Sequence, residues 1–213
     1  MNRNEEIIDI DGPAGVIEVL VENPGAPRGI ALVCHPHPLF GGTNTNKVTH
    51  ALARTFTRLG YVALRPNFRG VGNSSGVHDE GVGETEDMLV VLAEARRRFG
   101  DLPIALAGFS FGAYVQSCVA QALAEANHPA QRLVLVGTAA GHVEGARKYE
   151  TKAVASDTIV IHGARDETVP LANVLAWADP LDLPVIVVPG ADHFFHRRLH
   201  VIRDIVTRAW RHA

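Results

Sequence analysis

The chain has 213 residues, 46% of them hydrophobic and 20% charged, and carries a formal net charge of −3. That size suits a single domain over residues 1–213 with an ample core, and the mild acidity leaves no electrostatic footprint for nucleic acid or an anionic membrane. Two cysteines, Cys34 and Cys118, are too few for a disulfide framework. No signal-like apolar core opens the chain and no apolar run approaches membrane-spanning length, so a cytoplasmic, soluble protein is expected.

The predicted elements alternate in type. Ile7–Ile10 and Val16–Val21 read as an antiparallel pair joined around Gly12 and Pro13. Ile30–Cys34 is a buried strand, Lys47–Leu59 a helix closed by Gly60, and Tyr61–Arg65 a strand. Glu84–Phe99 is helical, acidic at its start and basic at its end, where Arg96, Arg97 and Arg98 suit the helix dipole. Pro103–Ala107 is a strand, Phe111–Ala126 a helix, and Leu133–Val136 and Thr158–Ile161 are strands. Pro170–Ala178 is a short helix opened by proline, Val185–Val188 a strand, and His196–Arg211 a final helix. Apolar runs without strict alternation mark strands buried on both faces. The β–α alternation predicts a mostly parallel, doubly wound sheet with helices on both faces. No internal repeat, low-complexity segment or linker interrupts it. About twenty residues separate the strand ending near Gly137 from the one at Thr158, too few for a folded cap. The site is therefore expected to be lidless and open.

The densest signal is Gly108-Phe109-Ser110-Phe111-Gly112, set between a strand and a helix. A serine at such a turn is held in strained backbone with its hydroxyl projecting, while flanking glycines let strand and helix approach. Its hydroxyl needs a base, and the base needs an orienting carboxylate. Asp166 follows the strand ending near His162, with Glu167 as the alternative acid. His193 follows Val185–Val188, and its rivals His196 and His200 fall in the final helix. These two histidines share a helix face, but no third ligand stands at zinc-like spacing. Ser110, Asp166 and His193 thus form a candidate catalytic set at successive strand ends. For the oxyanion, the N–H of Phe111 is one expected donor. The second lies in His35-Pro36-His37-Pro38-Leu39-Phe40-Gly41-Gly42. The prolines have no N–H, which leaves His37, the favoured donor, or Leu39. His35 reads as packing. Leu39, Phe40 and Phe109 are the candidate substrate contacts. Asn67–Gly76 lacks the spacing of a dinucleotide loop and reads as a structural glycine turn.

These residues resemble the small, lidless serine α/β-hydrolases related to dienelactone hydrolases, over nearly the whole chain from Gly29. The resemblance rests on His35-Pro36-His37-Pro38, on Asn67-Phe68-Arg69-Gly70-x-Gly72-x-Ser74, and on the serine pentapeptide. His162-Gly163-x-x-Asp166-x-x-Val169-Pro170 and Gly190-Ala191-Asp192-His193-Phe194-Phe195 complete it. Two departures stand out: Pro36 replaces a loop glycine, and Ser110 stands where dienelactone hydrolases carry cysteine. The resemblance implies the α/β-hydrolase fold and a carboxylesterase acting on small esters, with no cofactor and no metal. The alternatives are a thioesterase, with Arg69, Lys47 and Arg165 as a basic entrance, a peptidase, or a non-catalytic binding protein. The expected partner is a small-molecule ester, with no nucleic acid or membrane, and oligomeric state is not legible. Pocket shape is expected to depend on the loops Leu39–Asn46, Val77–Gly83 and Ala140–Ser156.

Overall fold

The computed structural model describes residues 5–143 and 147–210. The first strands, β1 (Glu5–Gly12) and β2 (Gly15–Glu22), pair antiparallel across the Pro13-Ala14 turn. Then come β3 (Gly29–Cys34), α1 (Lys47–Arg58), β4 (Tyr61–Pro66), α2 (Val82–Phe99), β5 (Ile104–Phe109), α3 (Phe111–Glu125) and β6 (Arg132–Val136). A short ribbon, β7 (Gly141–Val143) with β8 (Arg147–Tyr149), precedes β9 (Ile159–Gly163), α4 (Leu171–Ala178), β10 (Val185–Val188) and α5 (Leu199–Trp210).

Among the described residues, eight strands form one sheet in the order β1-β2-β4-β3-β5-β6-β9-β10. From β4 to β10 neighbouring strands are parallel, while β2 runs antiparallel to β4. The alternation within β5 shows how the layers form. Ile104 and Leu106 join the core under α2, α3 and α4, whereas Ala105, Ala107 and Phe109 join the core under α1 and α5. Every residue of β3, β4 and β5 is buried; the runs are apolar apart from Arg65 of β4, whose guanidinium is paired with Glu22 at 2.6 Å. The outermost strand β10 is half exposed, at Ile186 and Val187.

Two sequence expectations shift. The helix expected from Glu84 starts at Val82, because the Glu84 carboxylate turns back to accept the Gly81 N–H at 2.8 Å. The final helix starts at Leu199, not His196. Phe195 and Arg197 take left-handed backbone (φ 50° and 60°), which no helix continues through, and burial of Phe195 holds that turn in place. The expected helix end at Arg211 lies outside the described residues. Among the described residues no helix is long and apolar enough to cross a membrane. Cys34 and Cys118 are both unbridged thiols, and burial pushes the pKa of each up.

Candidate active site

Ser110 sits between the end of β5 and the start of α3 with φ 57° and ψ −119°, a conformation costing roughly 1–3 kcal/mol for a residue with a Cβ. The surroundings hold it there. Its N–H donates to Val136 O at 2.9 Å, and its carbonyl accepts from Ala113 and Ala139 at 3.0 and 3.3 Å. A Cβ on Gly108 would collide with the Gly112 carbonyl, and one on Gly112 with the carbonyls of Cys34 and His35. The side chain makes no capping bond to α3, so Ser110 is not an ordinary helix cap. Its Oγ lies instead 3.1 Å from His193 Nε2.

His193 Nδ1 lies 2.7 Å from Asp166 Oδ2. The other carboxylate oxygen accepts the N–H groups of Thr168 (3.1 Å) and Val169 (2.8 Å), so the acid is locked in orientation. All three side chains are buried, whereas Glu167 is exposed. His196 is exposed outside the helix and bonds the Asp192 carboxylate at 2.6 Å, and His200 is exposed on α5. Neither reaches the serine in the way His193 does. Beneath the acid lies His162, which sequence reasoning passed over. It is fully buried, its Nε2 donates to Val169 O at 2.9 Å, and burial lowers its pKa, which keeps it neutral. Hydroxyl, imidazole and carboxylate in this chain can pass a proton from oxygen to nitrogen while the new cation is stabilised.

The loop after β3 runs beside the serine. His37 has φ −53° and ψ 124°, and its carbonyl accepts from Phe40 and Gly42 at 3.2 and 3.0 Å. The Leu39 N–H is turned onto the His37 ring, with Nδ1 accepting at 3.3 Å. The His37 N–H has no partner among the described residues. Phe111 is the first residue of α3, so its N–H has no intrahelical acceptor. Burial and the neighbouring His78 and Arg147 lower the His37 pKa to about 4. His35 packs: its Nδ1 donates to Pro36 O (2.7 Å), its Nε2 accepts from Phe68 N–H (2.9 Å), and burial lowers its pKa to about 4.

Two adjoining clefts open here. The smaller, about 330 Å³, holds Ser110 and His193 together with Gly41, Asn46, Thr168 and Phe194. The larger, about 690 Å³, is lined by residues including His78, Tyr114, Tyr149 and Lys152. His37, Phe40 and Arg147 wall both. Phe40 is thus at the site, while Leu39 borders only the larger cleft. Phe109 is a correction. It is fully buried and lines neither cleft, because the strand's alternation points it under α1 and α5, where its ring lies 4.9 Å from that of His193. It supports the imidazole from behind.

Residues of all three loops expected to shape the pocket do line the clefts. The β7–β8 ribbon brings the Arg147 guanidinium over the Phe40 ring at 4.2 Å, where both residues wall the two clefts. Residues 144–146 of that segment lie outside the described residues. The basic entrance expected from Arg69 does not form: its guanidinium is held by Asp87 (2.8 and 2.9 Å) and Gly83 O. With the Asn67 side chain, which bonds Asn44 and Glu18, it makes the glycine turn structural. Lys47 stands 5.7 Å from the Phe194 ring at the smaller cleft. Away from the site, Glu5, Glu22 and His50 bring metal-type donor atoms within 4.8 Å of one another, but Arg65 already lies among them, 2.6 Å from Glu22.

A family model described as alpha/beta hydrolase fold matches residues 32–150. An uncharacterized protein of Rickettsia prowazekii is 34% identical over 202 residues, covering 88% of this chain and 81% of the relative. The solved structure of an α/β serine hydrolase homologue from Coxiella burnetii is 38% identical. It has a TM-score of 0.83 and covers 98% of this chain and 97% of that one. A Xanthomonas campestris protein described as an α/β serine hydrolase without lid is 33% identical, with a TM-score of 0.84 and coverage of 100% and 96%. Together with the mostly parallel sheet and the absence of a helical cap among the described residues, these matches place the chain in the α/β-hydrolase family, as a small lidless member.

Proposed function

We propose that the protein is a serine hydrolase of carboxylic esters, in which Ser110 is the nucleophile, His193 the general base and Asp166 the residue that orients it. The observation that carries this reading is the continuous contact from Ser110 Oγ to His193 Nε2 (3.1 Å) and from His193 Nδ1 to Asp166 Oδ2 (2.7 Å). As Oγ attacks the ester carbonyl, its proton passes to Nε2, and the carbonyl oxygen becomes an oxyanion held by the N–H groups of Phe111 and His37. Collapse breaks the ester C–O bond, and the Nε2 proton goes to the departing alkoxide. Water then repeats the sequence on the acyl-enzyme, releasing the acid and restoring Ser110. No redox step occurs, and every proton is carried by His193.

Mass spectrometry of the intact protein after treatment with a fluorophosphonate tests this. One adduct is expected, mapping to Ser110 and absent from Ser110→Ala and His193→Ala proteins. Folded protein that takes no adduct, or a Ser110→Ala variant that still hydrolyses p-nitrophenyl acetate at the native rate, overturns the assignment.

A further inference from the structure

The larger cleft plays no part in the chemistry just described, yet it adjoins the serine across His37, Phe40 and Arg147. We propose that it binds the acyl half of the substrate and that this half ends in a carboxylate, so that the preferred substrates are monoesters of dicarboxylic acids. This rests on the serine-hydrolase reading.

Which half goes where follows from the proton. The departing oxygen must face His193 Nε2, and His193 lines only the smaller cleft, with Thr168 and Phe194. The acyl chain must leave the carbonyl carbon in another direction. The open route passes His37 and enters the larger cleft, whose 690 Å³ is ample for a chain of several carbons.

The terminal charge follows from the lining. Arg147, Lys148 and Lys152 face two carboxylates, Glu80 and Glu150, and Glu150 is engaged by Lys148 at 3.2 Å. Lys152 makes no ion pair among the described residues. The cleft also contains a held imidazole. His78 Nδ1 lies 2.7 Å from Glu84 Oε1, and this fully buried carboxylate also accepts the N–H groups of Asp79 (3.0 Å) and Gly81 (2.8 Å). Nδ1 is therefore the donor to Glu84, which fixes the His78 ring in the wall and leaves its Nε2 an acceptor, so a carboxylate is matched by the cations and not by this ring. Tyr114 and Tyr149, with ring centroids 5.1 Å apart, supply the apolar wall along which a methylene chain lies. An anionic end on an apolar body matches the cations and the aromatic faces together.

The test pairs binding with turnover. Calorimetric titration of Ser110→Ala protein compares pimelate with heptanoate, which differ in the distal carboxylate. Pimelate is expected to bind at least about tenfold more tightly, and in Ser110→Ala/Lys152→Glu protein the ratio is expected to fall to within about twofold. Native protein is then given mono-p-nitrophenyl pimelate and p-nitrophenyl heptanoate, and the same preference is expected in kcat/KM. Equal binding of the two acids, or a preference unmoved by Lys152→Glu, overturns the proposal. Ester turnover without that preference overturns this proposal and spares the hydrolase reading. The binding preference without any ester turnover does the reverse.

Discussion

The backbone N–H of His37 cannot be removed by trimming a side chain, but the structure offers a way to delete it. His37 sits at φ −53° and ψ 124°, with φ inside the range a proline ring imposes. His37→Pro therefore fits the loop and keeps the carbonyl that accepts from Phe40 and Gly42. It also discards the imidazole, which packs 4.9 Å from Phe111 and 4.6 Å from His78 and accepts the Leu39 N–H. His37→Ala discards the same imidazole and keeps the N–H, so the difference between the two variants isolates one donor. Loss of one oxyanion donor costs about 10²–10³ in kcat, or roughly 2.7–4 kcal/mol. We expect His37→Pro to fall below His37→Ala by that factor in initial rates with p-nitrophenyl acetate. Circular dichroism of both variants should match the native protein. A Pro variant within about threefold of the Ala variant would refute the assignment of this N–H and return the role to another group of the loop.

Two further outcomes are expected. In Asp166→Asn the amide oxygen stays with the Thr168 and Val169 N–H groups, which turns the NH₂ toward His193 Nδ1 and forces the proton onto Nε2. Steady-state kinetics should show kcat down by about 10³–10⁴ with KM little moved, while the exposed Glu167→Gln stays within about twofold; equal losses in both would be decisive against Asp166. The second outcome concerns stability. The pKa of His35 is lowered by burial from 6.5 to about 4, so the unfolded chain binds the extra proton between those values. Its stabilising contribution is complete above pH 6.5 and is lost as pH falls toward 4, by roughly 3 kcal/mol. Urea unfolding of His35→Gln should accordingly show a smaller drop between pH 7 and pH 4.5 than native protein, and parallel curves would contradict this.

What the sequence reveals about this site is what local chemistry determines. Ser110 is legible because its flanking glycines answer a steric need within five residues, and the strand and helix around it are short-range patterns. Asp166 stands ahead of Glu167, and His193 ahead of His196 and His200, because each follows a strand end; what the sequence does not show is that His196 also lies outside the helix, past the left-handed Phe195, and is turned onto Asp192. Phe109 was in principle readable: counting by twos along β5 puts it with Ala105 and Ala107, away from the cleft. Arg147 was not readable. Its place over Phe40 comes from a ribbon meeting a loop more than a hundred residues earlier, and nothing in either segment names the other. The same holds for His78, whose orientation depends on the carboxylate that also caps α2.

The layers of the fold give the two clefts their different characters. Ser110 stands at the carboxyl end of β5, near the middle of the sheet, where helices of both faces meet. The smaller cleft takes its wall from the α1–α5 side: Asn46 caps α1, Phe194 precedes α5, and His193 rests on Phe109 of that core. The larger cleft takes its wall from the other side, with Tyr114 in α3 and His78 just before α2. In the proposed reaction the base is thus tied to one face of the sheet, and departing groups leave over that face. The opposite face is free of any duty in proton transfer, so its lining can change without moving His193. The charged and aromatic residues beside α2 and α3 are therefore where substrate choice can be written while the reaction stays the same. In this chain they combine cations with aromatic faces.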